Sequence, residues 1–330
     1  MTANSTIDNE VLEDELSWNR TLHQTLSLSI SVVGTLLNVL ATSVIVKGGL
    51  YKQSSFKFVL NLFLSNFFLC AMCLPIVFYT TLSPNFGSSG LCPVFGYIIY
   101  CVLGTKMLSI VLISLNRYFL IVKYTLYPKV YTARNIRLMF VVNWTFYPFV
   151  LAFPLSEIWG TFAYEKHRFI CNPLHSSWDY RVFIIITTFV ITVPAIIFSY
   201  VGILRVVNSN FRRVNTLQKV KAQRLKNDKQ LVRTILATII LYTTMNVPFL
   251  VLSIADPHTE SVNIIVYDVA IYLGWSNALM NPLIYSALNN QIKSSFMSVW
   301  EQICKKKPQW HSPWITTDIE IRVISAPNHE

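Results

Sequence analysis

The sequence predicts an all-α membrane protein, a seven-transmembrane helix bundle followed by a short amphipathic eighth helix. Two observations carry this reading. Hydrophobic residues make up 53% of the 330-residue chain and charged residues only 13%, a balance that would aggregate in a soluble domain of this length. Seven continuous apolar runs, each long enough to cross a hydrocarbon core of roughly 20 helical residues, follow one another with short connectors. Barrel strands would be shorter and would alternate apolar with polar residues, so the runs are helices.

The runs lie near residues 25–47, 56–82, 94–123, 135–155, 181–207, 230–254 and 262–287, which places the bundle at 25–287. Residues 1–24 are polar and lack the apolar core of a separate signal peptide, so the first span serves as the targeting signal. Basic residues set the orientation. Lys47, Lys52 and Lys57 flank the first connector, Lys123, Lys129, Arg134 and Arg137 the third, and a run from Arg205 to Lys229 fills the fifth. By the positive-inside rule these face the cytoplasm. Asp8, Glu10, Glu13, Asp14 and Glu15 precede the first span, and Asp256 and Glu260 separate the sixth from the seventh. The amino terminus is therefore extracellular and the protein a multi-pass plasma-membrane protein. The tail holds two glycosylation sequons, at Asn4 and Asn19. The formal charge of +11 is divided among loops that flank lipid, which implies contact with the bilayer and no nucleic-acid partner.

The third span runs from near Cys92 to Asn116-Arg117-Tyr118 almost without a charge. Arg117 then stands at the far interface, either as a positive-inside anchor or as a switch residue that exchanges partners there. Of six cysteines only Cys92 and Cys171 fall on the oxidising face, and they are expected to bond and pin the long loop over the bundle mouth. Cys70, Cys73 and Cys101 lie within spans as small packing residues. The seventh span ends in Asn281-Pro282-Leu283-Ile284-Tyr285. Pro282 removes a backbone donor and loosens the helix between two side chains that can bond differently in two helix positions. Residues 288–304 follow as an amphipathic stretch with Ile292, Phe296, Val299, Trp300 and Ile303 at helical spacing. Cys304 precedes Lys305-Lys306-Lys307 and is either palmitoylated beside a polybasic anchor or an unmodified helix-end cysteine. Residues 305–330 form a short polar cytoplasmic tail.

In their order and spacing these pieces resemble the rhodopsin-like (class A) G-protein-coupled receptors over roughly residues 25–304. The matching residues are Asn38, Asn61-Leu62, Cys92, Asn116-Arg117-Tyr118, Trp144, Tyr200, Pro248 and Asn281 to Tyr285. Asn116-Arg117-Tyr118 and Ile158-Trp159-Gly160 look most like the branch holding the melatonin receptors and the invertebrate Moody and Trapped-in-endoderm receptors. The resemblance implies that an extracellular ligand shifts a two-state bundle, the sixth helix swings outward and a heterotrimeric G protein binds the cytoplasmic cleft. Arg117 would meet the G protein in the active state. In the resting state Asp228 is its candidate partner, in a pair of about 1 kcal/mol; alternatively Asp228 is a solvated loop acid.

The chain departs from the family pattern in ways that bear on function. Asn66 stands where most members carry the aspartate that anchors a sodium ion, and Lys106 where they supply a small hydroxyl to it. Two readings follow: the Lys106 ammonium fills the sodium position, bonded by Asn66, Asn277 and Asn281, or a neutral Lys106 packs among them. Asn246, two residues before Pro248, replaces the usual aromatic, and Pro194 lies nearer Tyr200 than is common, so the fifth and sixth spans are expected to move differently. Ile99 occupies the position of the amine-receptor aspartate and Trp275 that of the opsin lysine, so neither a monoamine nor retinal is the implied ligand.

Residues projected toward the outer cavity are Tyr97, Ile99, Tyr100, Phe249, Ile271, Tyr272 and Trp275, a lining suited to a lipid-like or aromatic molecule. Lys166, His167 and Arg168 could add contacts to an anionic head group, whereas the acidic amino terminus would favour a basic peptide. No catalytic constellation or cofactor motif is present, so an enzyme is not expected. A small transporter or channel using Lys106 among the asparagines is the competing class. It has against it the odd number of spans and the absence of an internal repeat.

Overall fold

A computed structural model of the protein describes residues 2–83, 86–88, 90–165, 168–173, 178–190, 192–213, 219–256 and 262–303. Of these, 2–16, 88, 181, 189–190, 207–213, 219–232, 235, 239 and 299–303 are described by backbone alone. The helices are α1 (Thr2–Lys47), α2 (Ser54–Leu82), α3 (Leu91–Ile121), α4 (Ala133–Leu155), α5 (Trp178–Arg213), α6 (Lys219–Ala255), α7 (Ile264–Leu288) and α8 (Asn290–Ile303). Residue 191, within α5, lies outside the described residues. A hairpin of β1 (Ala163–Glu165) and β2 (Ile170–Asn172) joins α4 to α5, with Tyr164 opposite Cys171.

Among the described residues, six helices contain stretches long and apolar enough to cross a membrane: Ser17–Lys47, Ser54–Leu82, Leu91–Ile121, Ala133–Leu155, Trp178–Val206 and Leu236–Ala255. The first begins some residues before the expected boundary near residue 25, so part of the presumed tail is bundle. α7 has the length of a span and buries Asp268, Asn277 and Asn281.

Local chemistry accounts for the helix ends. Thr132 caps α4 by accepting from the Asn135 amide at 3.3 Å, and Asn263 caps α7 by accepting from the Ile265 amide at 2.9 Å. Gly49, at φ 68°, turns the chain between α1 and α2 in a conformation that side chains disfavour. Two π-helical turns, at Leu69–Cys73 in α2 and Ile186–Val190 in α5, each end shortly before a proline, Pro75 and Pro194. The extra residue in each turn relieves the clash of the ring with the carbonyl four residues back. The fifth helix therefore does bulge, just ahead of Pro194.

The core has two main parts. Toward Arg117, Ile45, Phe58, Leu62, Ile110 and Tyr285 pack together; toward the hairpin, Leu74, Val77, Ile99, Ile271 and Trp275 do. Large apolar residues such as Leu36, Val142, Phe149 and Phe198 face outward, as a lipid-facing surface requires. Buried polar pairs cross between helices. Asn38 donates to the Ala278 carbonyl at 3.1 Å, joining α1 to α7. Asn61 accepts from the Trp144 indole at 2.9 Å and donates to Ser109 at 2.8 Å, joining α2, α3 and α4. Such bonds hold because lipid offers no competing partner.

Candidate functional site

At the hairpin end, α3, α5, α6 and α7 enclose a cavity whose roof is the β1–β2 hairpin. Cys92 and Cys171 form the expected disulfide, with Cα atoms 5.5 Å apart, and tether the hairpin to the start of α3. Gly96 lets the strand approach closely: a Cβ there would meet the Cys171 carbonyl oxygen at 2.8 Å. Tyr100 donates to Asn172 Oδ1 at 3.1 Å, and Asn172 Nδ2 donates to Glu165 at 2.9 Å. Arg168 is 4% exposed; its Nη1 lies 3.0 Å from Glu165 Oε2 and its guanidinium sits 4.1 Å over the Tyr267 ring. Its Nε and Nη2 are buried without a hydrogen-bond partner among the described residues.

The cavity wall includes five of the seven residues projected from sequence: Ile99, Tyr100, Phe249, Ile271 and Trp275. The other two turn elsewhere. Tyr97 donates to the Pro148 carbonyl of α4 at 3.1 Å, and Tyr272 faces α1, within 2.8 Å of His23 Nδ1. The reason is rotational: α3 and α7 are apolar around much of their circumference, and their periodicity does not fix which aromatic points inward. Sequence reasoning missed the inward placement of Glu165, Asn172, Asn246 and Tyr242. It also missed a buried cluster beside the cavity, where His23 Nε2 lies 3.3 Å from Asp268 Oδ1 and both residues are fully buried. The signal available was an acid inside an apolar run, Asp268, which calls for a partner.

Lys106 is 3% exposed and lines the cavity floor. Among the described residues it makes no hydrogen bond or ion pair, and the titratable neighbour that acts on it electrostatically is the Cys70 thiol. The expected cluster with the three asparagines is not formed. Asn281 Nδ2 donates instead to Asn277 Oδ1 at 3.2 Å, while both polar atoms of Asn66 are buried without a hydrogen-bond partner. The Lys106 side chain lines the cavity.

At the opposite end, Arg117 is buried and close enough to Tyr285 to act on it electrostatically. Asn116 Oδ1 accepts from Ser55 at 3.0 Å and its Nδ2 donates to the Tyr127 hydroxyl at 3.2 Å, so it ties α3 to α2 and to the connector before α4. Tyr118 packs on Phe198 of α5 at 5.3 Å between ring centroids, with Gly202 beneath it. Tyr200 is half-buried in α5, Pro282 is buried in α7, and Tyr285 packs edge-on to Phe63 at 5.7 Å.

Asn19 is 4% exposed within α1. The side chains of Asn4 and Asp228, and Lys166, His167 and Cys304 in full, lie outside the described residues.

The description that matches this arrangement is the 7 transmembrane receptor (rhodopsin family), over residues 37–285. The chain belongs to that family. The receptor is 23% identical over 296 residues to Protein trapped in endoderm-1 of Drosophila melanogaster, covering 83% of this chain and 75% of that one. It is 24% identical over 340 residues to the G-protein coupled receptor moody of the same species, covering 82% of this chain and 50% of that one. It is 26% identical over 264 residues to the RYamide receptor of Tribolium castaneum, covering 74% and 71%. The receptor is thus a membrane-embedded signalling protein of a non-enzymatic family, and the transporter alternative is set aside. The branch expected from Asn116-Arg117-Tyr118 and Ile158-Trp159-Gly160 agrees with the first two relatives.

Proposed function

We propose that the receptor couples a ligand in the hairpin-end cavity to a heterotrimeric G protein at the Arg117 end, and that its resting state is weakly held. In this reading the amino terminus and the hairpin are extracellular, in keeping with the distribution of basic residues. The basic connectors and Arg117 face the cytoplasm, and α8 lies along the inner membrane surface. Asn4 carries the glycan and Cys304 the lipid anchor.

One observation carries the proposal of a weak resting state. Both polar ends of the Asn116 side chain are engaged by Ser55 and Tyr127, and an amide brings no counter-charge to the adjacent guanidinium. In this reading Asp228 on α6 is a resting partner of Arg117, with Tyr285 nearby. A pair of that kind biases a two-state equilibrium without locking it. Asn281 and Pro282 provide the looser point of α7 through which cavity and coupling end communicate, with Asn277 as the bonded neighbour. Basal nucleotide exchange on a G-protein panel, measured without ligand, tests the reading. Exchange above background that disappears in Arg117→Ala is expected; no exchange in any condition would overturn it.

A further inference from the structure

We propose that the cavity binds an amphiphilic monocarboxylic acid, its carboxylate seated on Lys106 at the floor and a neutral hydrogen-bonding group at its far end meeting Arg168 at the mouth. The proposal rests on the cavity being the receptor's ligand site.

Charge is the first argument. The charged residues of the wall are Lys106, Arg168 and Glu165. Two cations stand against one carboxylate, so a ligand with one negative charge balances the cavity. Glu165 is committed to Arg168 and Asn172 at the roof, which leaves Lys106 without a counter-charge. A buried ammonium is strongly disfavoured until an anion and its lone pairs reach it. An amine would meet like charge at the floor and add a second unpaired cation.

The second argument is spacing. Tyr100 marks the level of the hairpin through its bond to Asn172. Lys106 is six residues further along α3, about 9 Å deeper at 1.5 Å per residue. The wall is mostly apolar, with Ile99, Leu103, Phe249, Ile271 and Trp275, and its further polar residues, such as Thr188, Asn246 and Ser253, are neutral. A ligand that joins the two levels therefore has an apolar body with polar ends. At the mouth, Nε and Nη2 of Arg168 are buried and have no hydrogen-bond partner among the described residues. They point to a neutral acceptor such as a hydroxyl or carbonyl, because Glu165 already balances the guanidinium charge.

The test uses full-length receptor in nanodiscs of zwitterionic phosphatidylcholine, with thermal shift and tryptophan fluorescence as readouts. The probes are decanoate, ω-hydroxydecanoate, methyl decanoate, decylamine and decyl phosphate. Both acids are expected to raise Tm, ω-hydroxydecanoate more, while the ester and the amine leave it unchanged. Lys106→Met should weaken the acids about tenfold or more, the scale of a charge-assisted hydrogen bond, and Lys106→Arg should retain them. The paired change Glu165→Gln with Arg168→Gln should abolish the advantage of the hydroxy acid. Equal stabilisation by acid, ester and amine in the unaltered receptor would overturn the proposal whatever the variants do. Acid binding that survives Lys106→Met would do the same, and tighter binding of decyl phosphate would replace the carboxylate by a phosphate. A receptor indifferent to every acid that still shows Arg117-dependent exchange refutes this proposal alone; absence of exchange throughout refutes the functional reading beneath it.

Discussion

A single amide at position 116 redirects the bonding of the coupling end. Asp in that place could still accept from Ser55, and could accept from the Tyr127 hydroxyl to which the amide now donates, while offering Arg117 a full negative charge, worth about 1 kcal/mol or roughly fivefold in the resting equilibrium. Asn116→Asp is therefore expected to lower basal nucleotide exchange several-fold without loss of folded receptor; unchanged exchange at equal surface expression would contradict it. Gly104 presents a steric case. A Cβ there would lie 2.2 Å from the Tyr147 ring, and overpacking of this kind costs about 1–3 kcal/mol. Gly104→Ala should lower Tm, and adding Tyr147→Leu should recover much of the loss. At this scale the sequence was legible where chemistry is unusual: an arginine after an apolar run, or a lysine within one. It was illegible where only a rotation decides, as for Tyr97 and Tyr272.

Among the elements, α1 and α7 are linked more firmly than their apolar runs suggest. Asn38 bonds the Ala278 carbonyl, and toward the hairpin His23 lies against both Asp268 and Tyr272. Removing the carboxylate with Asp268→Ala should cost about 1–3 kcal/mol, since the imidazole loses a buried partner. His23→Ala added to it should cost little more, because the two act as one unit; additive losses in Tm would deny the coupling. The link explains why α1 continues past the boundary that hydropathy alone marks: Asn19 and His23 are polar by type yet buried by contact. The π-helical turns of α2 and α5 could be read only from the prolines that follow them, since length and apolarity are the same with or without an extra residue per turn.

For the whole molecule, composition was enough to give the class, and the run lengths gave the number and order of helices. Pairing of Cys92 with Cys171 followed from their shared face. The hairpin between them was not legible, because its strands are three residues each and its Glu165–Arg168 pair reads as ordinary loop charge until burial is known. Yet that hairpin roofs the cavity. Cys171→Ser is expected to lower Tm by the equivalent of about 2–4 kcal/mol and to weaken ligands at the mouth, while Arg117-dependent basal exchange persists. Parallel loss of exchange and ligand binding would mean that the two ends do not fold independently.

The hairpin's covalent tether also makes the receptor sensitive to reduction. A reductant that opens the Cys92–Cys171 bond frees the hairpin from the start of α3, while the coupling end, which no disulfide touches among the described residues, keeps its own bonds. A reduced receptor is expected to signal at its basal level and to bind ligand weakly.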